Sequence, residues 1–342
     1  MPVGVVLMVI DVLLENACGV GASDLHIRCG AIPMMRVDGA LVKCGTDILR
    51  QAVVESFLCT VLSPEELATL QQLVEVDGAF TSSQGRWRFN AYHFMNGIGI
   101  SLRRLPLTVP ALEHLGLPEV VGRFAQLSRG LVLITGATGS GKSTTAAALL
   151  DVINRTQASH IVTIEDPIEY VHESQCSLVS QREVGTHTHS FSHALRSALR
   201  EDPDVIFVGE MRDLETMRLA LQAAETGHLV ISTLHTASAA KTIARVVDVF
   251  PAEQQSMVKM MLAEAVEGIV SQELIARAGG GRVVVSEVLI ATPGVRSLIR
   301  DGKTHQLEHV MQTSSGSGMQ TRETALRTLR ARGLLGSEEI AG

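Results

Sequence analysis

Residues 131–150 read Leu131-Val-Leu-Ile-Thr135-Gly136-Ala137-Thr138-Gly139-Ser140-Gly141-Lys142-Ser143-Thr144-Thr145-Ala-Ala-Ala-Leu-Leu150. Gly136 to Ser143 fills every position of the P-loop pattern G-x-x-x-x-G-K-[ST]. The apolar, β-branched run before it predicts a buried strand, and the alanine-rich run after it predicts a helix, which is the context that gives the pattern meaning. Glycines let the backbone bend close to a triphosphate, so amide N–H groups and the helix N-terminus face the anion. Gly136, Ala137, Thr138, Gly139, Ser140, Gly141, Lys142, Ser143 and Thr144 are therefore read as a nucleotide cradle. Lys142 neutralises the β- and γ-phosphates in such a loop, and the Ser143 hydroxyl ligates Mg²⁺.

The rest of the composition bounds the class. A chain of 342 residues has room for two domains. It is 46% hydrophobic but 3% aromatic, so the core is aliphatic. A net charge of −7 argues against a nucleic-acid partner, which requires a basic face. The five cysteines are odd in number and never form a C-x-x-C pair, so they read as reduced thiols of a cytoplasmic protein. Met1 to Ile10 is apolar, but Asp11 and Glu15 interrupt it short of the roughly 20 residues a spanning helix needs. It reads as a buried amphipathic helix.

Two regions differ in pattern. Residues 1–104 carry short strands at Asp24–Arg28, Met34–Val37 and Arg86–Asn90, with helices at Ile48–Leu58 and Glu65–Leu73. Ser63 and Pro64 supply the second helix's N-cap and first position. This is a small α+β domain. Three prolines punctuate residues 105–118, read as a linker. Residues 119–342 alternate strand and helix, with strands at Leu131–Thr135, Ile161–Glu165, Val205–Gly209, Leu229–Leu234 and Val283–Ile290. One intervening helix puts Leu214, Met217, Leu221 and Ala224 on a single face. The alternation implies a doubly covered, mainly parallel sheet, an α/β core. Residues 314–318 are a Ser/Gly break before a last helix near Arg322–Arg332.

Ligands of parallel sheets gather at the strands' carboxyl ends. Besides the loop after Thr135, those ends carry Glu165 and Asp166, Glu210, and His235. Glu210 follows an apolar run as a Walker-B acid does and either supports the Mg²⁺ shell or polarises water. An alternative role is N-cap of the helix starting near Asp213. Glu165 is a second acid able to activate water, and the sequence leaves the division between the two glutamates open. Asp166-Pro167 also fits a plain turn. His235 reads as a γ-phosphate contact. His228 precedes the same strand and falls at the far edge, where it acts indirectly, at a subunit contact, or as a core histidine. The absence of Asn-Lys-x-Asp favours ATP over GTP.

Taken together these residues resemble the secretion ATPases of type II secretion and type IV pili, most closely the pilus retraction ATPases of the PilT type. The resemblance rests on Ala22-Ser-Asp-Leu-His26, the P-loop, Thr163 to Glu169, Ser197 to Asp204, Val208 to Asp213, and Thr226-Gly-His228 with Leu234-His-Thr236. Gly294-Val-Arg-Ser-Leu-Ile-Arg-Asp301 is similar to the retraction signature Ala-Ile-Arg-Asn-Leu-Ile-Arg-Glu. The resemblance implies a RecA-like ATPase core, a PAS-like N-terminal domain, a homohexamer, and docking on an inner-membrane platform protein among the pilus machinery. It further implies a paralogous retraction ATPase as partner, and a peripheral position at the inner membrane. It implies that Arg86, Arg88 and Arg103 approach the nucleotide; taken alone, Arg86 and Arg88 also fit solvated strand arginines. Where the family commonly has Asn-Arg-Gly, this chain has Met95-Asn96-Gly97. That departure keeps open a weakly active regulatory paralogue, beside a motor of type II secretion or conjugation.

Overall fold

The computed structural model describes residues 3–37 and 39–335. Residues 1–2 of the apolar N-terminal stretch, Asp38, and the end of the last region after residue 335 lie outside them. The chain divides into two compact units, Met1–Thr108 and Val109–Gly342.

The first unit has helix α1 (Val3–Gly19), strands β1 (Asp24–Arg28), β2 (Met34–Val37) and β3 (Ala40–Lys43), helices α2 (Gln51–Val61) and α3 (Pro64–Gln71), then β4 (Val76–Ser82), β5 (Gly85–Phe94) and β6 (Gly97–Arg104). Its antiparallel sheet runs β3-β2-β1-β6-β5-β4. Ile10, Leu13, Leu14 and Ala17 of α1 are buried, with Trp87 and Phe89 of β5, in one core. Helix α2 starts at Gln51, later than expected, because the backbone of Leu49 is taken. Its N–H donates to Ala31 O at 3.0 Å and its C=O accepts from Gly30 N at 2.7 Å, stapling the preceding turn. Helix α3 begins as expected. The Glu66 N–H donates to Ser63 Oγ at 3.2 Å and the Ser63 N–H donates to Glu66 Oε2 at 2.7 Å, a reciprocal cap.

The second unit contains β7 (Gly130–Thr135), α4 (Lys142–Thr156), β8 (His160–Glu165), β9 (Leu178–Glu183), α5 (Phe191–Ala198), β10 (Val205–Val208), α6 (Leu214–Glu225), β11 (Leu229–Leu234), α7 (Ala239–Asp248), α8 (Ala252–Ala265), β12 (Val266–Ala276), β13 (Arg282–Ile290), α9 (Pro293–Arg300), α10 (Leu307–Thr313) and α11 (Arg322–Ala331). Its sheet runs β13-β12-β7-β11-β10-β8-β9. Every pairing is parallel except β12 with β13. The central strands β7, β10 and β11 are buried along their whole length, as expected of strands covered on both faces. The stretch read as a linker contains the boundary after Thr108. Its second half packs into this unit, with Leu112 buried beside Val132 and Leu149. Among the described residues no helix is long and apolar enough to cross a membrane.

Candidate active site

The turn out of β7 demands glycine at its first position. Gly136 has φ +145°, and a Cβ there would lie 2.1 Å from the backbone oxygen of Gln272. Gly141, at φ +88°, opens α4 in the left-handed region. Between them the loop wraps over the start of the helix. The Lys142 ammonium donates to Gly136 O at 3.0 Å and Ala137 O at 2.9 Å. Burial lowers its pKa, while the charges of Glu210 and Glu169 pull the other way. The Thr144 hydroxyl lies 3.0 Å from the Tyr170 hydroxyl, tying the first turn of α4 to the segment after β8. Ser140 Oγ is buried without a hydrogen-bond partner among the described residues.

The neighbouring strand ends carry the acids. Glu210 follows β10, where the Thr233 hydroxyl of β11 donates to Gly209 O at 2.6 Å and fixes the exit. Its Oε1 lies 3.3 Å from His235 Nε2 and its Oε2 2.9 Å from the Arg212 guanidinium. Burial pushes the Glu210 carboxyl up, but the hydrogen bond and charge of Arg212, with His235 adding, hold it below the usual value. Glu210 is thus ionised. It is not a helix cap, because that place is filled by Asp213. The Thr216 N–H donates to Asp213 Oδ1 at 2.9 Å and the Thr216 hydroxyl donates to Oδ2 at 2.7 Å.

Glu165, at the end of β8, is in a different environment. The Thr163 hydroxyl donates to its Oε1 at 2.8 Å and the Gln181 amide at 3.1 Å. Burial pushes its carboxyl up to about 7, against the lowering effect of these bonds and one from the Glu169 backbone. Gln181 also donates to Tyr170 O at 2.9 Å and accepts from the His172 N–H at 2.8 Å. Glu165 and Gln181 together therefore hold the segment that carries Asp166, Glu169 and Tyr170. Two carboxyls at adjacent strand ends have been driven apart, one ionised and one poised near neutrality.

One histidine singled out in the sequence stands apart from this rim. His228 stands at the amino end of β11, about 20 Å of strand from His235. Its Nδ1 sits 3.0 Å from Ala223 O, at the end of α6, so within one chain it is a helix-terminus contact and not a nucleotide contact. Arg86, Arg88 and Arg103 lie in the first unit. Arg88 and Arg103 face each other across β5 and β6, and Arg103 Nε donates to Asp24 Oδ1 at 2.8 Å. Asn96 occupies the two-residue connection between β5 and β6, beside a fully exposed Met95.

Three site residues escaped sequence reasoning: Gln181 on β9, Gln272 on β12, and Arg212. The two glutamines sit on strands the hydropathy pattern does not reveal. Arg212 had a signal, two residues beyond the Walker-B position, that was read only as part of a motif.

The chain matches the family described as Type II/IV secretion system protein over residues 3–340. It belongs to that family. Within this family it is 51% identical over 332 residues to the type IV pilus retractation ATPase PilT of Pseudomonas aeruginosa, covering 97% of this chain and 96% of that one. It is 49% identical over 308 residues to a twitching motility protein of Neisseria gonorrhoeae, covering 90% of this chain and 82% of that one. The solved structure of the pilus retraction motor PilT with bound ADP has a TM-score of 0.89 to it at 44% identity, covering 96% of this chain and 94% of that one. This type II/IV secretion protein is accordingly an ATPase of the PilT type, with an α/β, RecA-like core and a smaller N-terminal unit, as its motifs led one to expect.

Proposed function

We propose that this chain is a homohexameric motor that hydrolyses Mg²⁺-bound ATP to drive retraction of type IV pili. It works at the cytoplasmic side of the inner membrane, docked on the platform protein, within the pilus machinery and beside a paralogous retraction ATPase. The observation that carries the reading is the meeting of Glu210 with His235 at 3.3 Å at the same strand ends from which the P-loop springs, with the Glu210 charge acting on Lys142. The names of the relatives supply the machine; the site supplies the chemistry.

Each residue then has a role. The amides of residues 136–144 hold the triphosphate, and Lys142 exchanges its loop carbonyls for the β- and γ-phosphates. The Ser143 hydroxyl and the ionised Glu210 carboxylate are hard oxygen donors at one rim, the set that suits Mg²⁺. The ion, when bound, supplies neutralisation of phosphate charge. Glu210 orients the attacking water and His235, in contact with it, reads the γ-phosphate. Glu165, enclosed by Thr163 and Gln181, keeps the following segment in shape. In the ring, Arg86, Arg88 and Arg103 neutralise charge that builds on the transferring phosphoryl group. His228 acts away from the phosphates.

Deletion of the gene tests the proposal: pili should remain on the surface while twitching is lost, and wild type but not Lys142→Ala should restore it. Loss of the pili themselves would instead make this an assembly motor. Met95-Asn96-Gly97, which lacks the family's arginine, favours one second reading, a weakly active regulatory paralogue. Steady-state ATP turnover separates the two, since Asn96→Arg should raise it only in the paralogue.

A further inference from the structure

The P-loop is folded around one buried side chain of a strand far away in sequence. Gln272 of β12 is 4% exposed. It stands one residue beyond the last parallel pair, Ser271 with Thr135, where β7 gives way to the loop. Its Nε2 donates to Ser140 O at 2.7 Å, and its Oε1 accepts from the Thr145 hydroxyl at 3.0 Å. Its backbone oxygen is the atom that a side chain at position 136 would strike, and its Nε2 lies 3.1 Å from where a Cβ of Gly141 would be. One glutamine thus touches the first glycine of the loop, its last turn, and the opening of α4.

The bond to Ser140 O has a specific consequence. The peptide linking Ser140 and Gly141 is planar and trans, so its C=O and N–H point in opposite directions. With the carbonyl held against the Gln272 amide, the Gly141 N–H points away from that side chain. Successive N–H groups turned the same way are what gives such a loop its affinity for an anion. Gly141, with no Cβ, is the residue most free to let that peptide rotate.

We infer that Gln272 is a positioning residue for nucleotide, locking the Ser140–Gly141 peptide so that the Gly141 amide faces the phosphates. This deepens the proposed function and rests on its reading of the loop as the triphosphate site. The mechanism depends on a donor at Nε2, not on the volume of the side chain. Gln272→Met keeps the volume and removes the donor, leaving the peptide unheld. Gln272→Glu puts an acceptor against the Ser140 carbonyl, which drives the peptide to flip and present the Gly141 N–H to the carboxylate. Thr145→Val removes the other hydrogen bond and leaves the lock in place.

The experiment is ADP affinity of the full-length protein and the three variants, with melting temperature and kcat at saturating ATP alongside. Affinity should fall about tenfold in Gln272→Met and about a hundredfold in Gln272→Glu, the second loss reflecting both the missing bond and the flipped peptide. Thr145→Val should stay within about threefold of wild type, and kcat at saturation should change less than affinity in all three. A purely structural role would make affinity follow melting temperature, with Thr145→Val no different from Gln272→Met; that pattern overturns the inference. So does wild-type affinity in Gln272→Glu. If Gln272→Glu does not fold, the contrast between the isosteric Gln272→Met and Thr145→Val decides alone. A wild-type chain that binds no ADP would overturn the nucleotide site and this inference together, whereas tight wild-type binding with an unaffected Gln272→Met overturns only the inference.

Discussion

Replacing Glu165 by glutamine should make the protein more stable, and the gain should grow with pH. In the unfolded chain this carboxyl ionises near 4.5, whereas in the fold burial raises it to about 7. Between those values the native state binds more protons than the unfolded state, so stability falls as pH rises through the window. At about 1.4 kcal/mol per unit of pKa, wild type loses about 2–3 kcal/mol between pH 5 and pH 8 on account of this group. The Glu165→Gln variant has no charge to bury, and its amide oxygen still accepts from Thr163 and Gln181. In a unit of this size 1 kcal/mol corresponds to about 2–4 °C, so the difference in Tm should open by about 5–10 °C from pH 5 to pH 8. Thermal unfolding of the two ligand-free proteins across that range is the assay. A Tm difference that stays flat with pH, or shrinks as pH rises, would refute the argument that Glu165 is a buried acid kept near neutrality.

Two further outcomes divide labour around the site. Glu210→Gln should bind nucleotide but lose about 10²–10³ in kcat, because it removes the ionised group at the phosphate rim, while Glu165→Gln should keep kcat within about tenfold; steady-state hydrolysis at saturating ATP compares them. Equal losses would return Glu165 to a direct catalytic role. Asp213→Ala should cost about 1 kcal/mol, read as a lower Tm, through loss of the α6 cap, with kcat nearly unchanged. A collapse of kcat there would mean that Asp213 serves the chemistry as well as the helix.

Much of the active unit was legible because its signals are local. The loop is announced by glycine spacing between a β-branched run and an alanine-rich one, and β7, β8, β10, β11 and β13 were all located by apolar runs to within a residue or so. What was hidden depends on partners distant in sequence. Strand β12 follows α8 with no intervening residue, so Ala265-Val266 carries no turn signal between helix and strand, and Glu267-Gly268 interrupts the apolar run that would announce the strand. Strand β9 is an edge strand of mixed character, Leu178-Val-Ser-Gln-Arg-Glu183, half-buried along most of its length. Strand β6, central to the first unit, opens with Gly97-Ile-Gly99, which masks its alternation. Gln181 and Gln272 vanished with β9 and β12. The split between Glu165 and Glu210 was open in the sequence because it is set by Thr163, Gln181, Arg212 and the depth of burial, none of which a strand-end motif encodes.

The signature helix gains a physical account in the same way. Arg296 of α9 donates to Ala263 O and Glu264 O, each at 2.7 Å, and to Glu267 Oε1 at 2.8 Å. Arg300 reaches Glu264 Oε1 at 3.1 Å. Arg296 therefore satisfies carbonyls at the end of α8 and grips Glu267 of β12, while Arg300 pairs with the Glu264 side chain in the last turn of α8, where the dipole favours a cation. Leu298 and Ile299 pack into the same core.

The proposed chemistry depends on Lys142, at the head of α4, as the charge that holds the phosphates of ATP during hydrolysis. Mg²⁺-dependent ATP turnover by purified wild type and Lys142→Ala tests it most directly. Turnover is expected in the first and background in the second; a Lys142→Ala protein that retains more than about a tenth of wild-type turnover would contradict that role for the lysine.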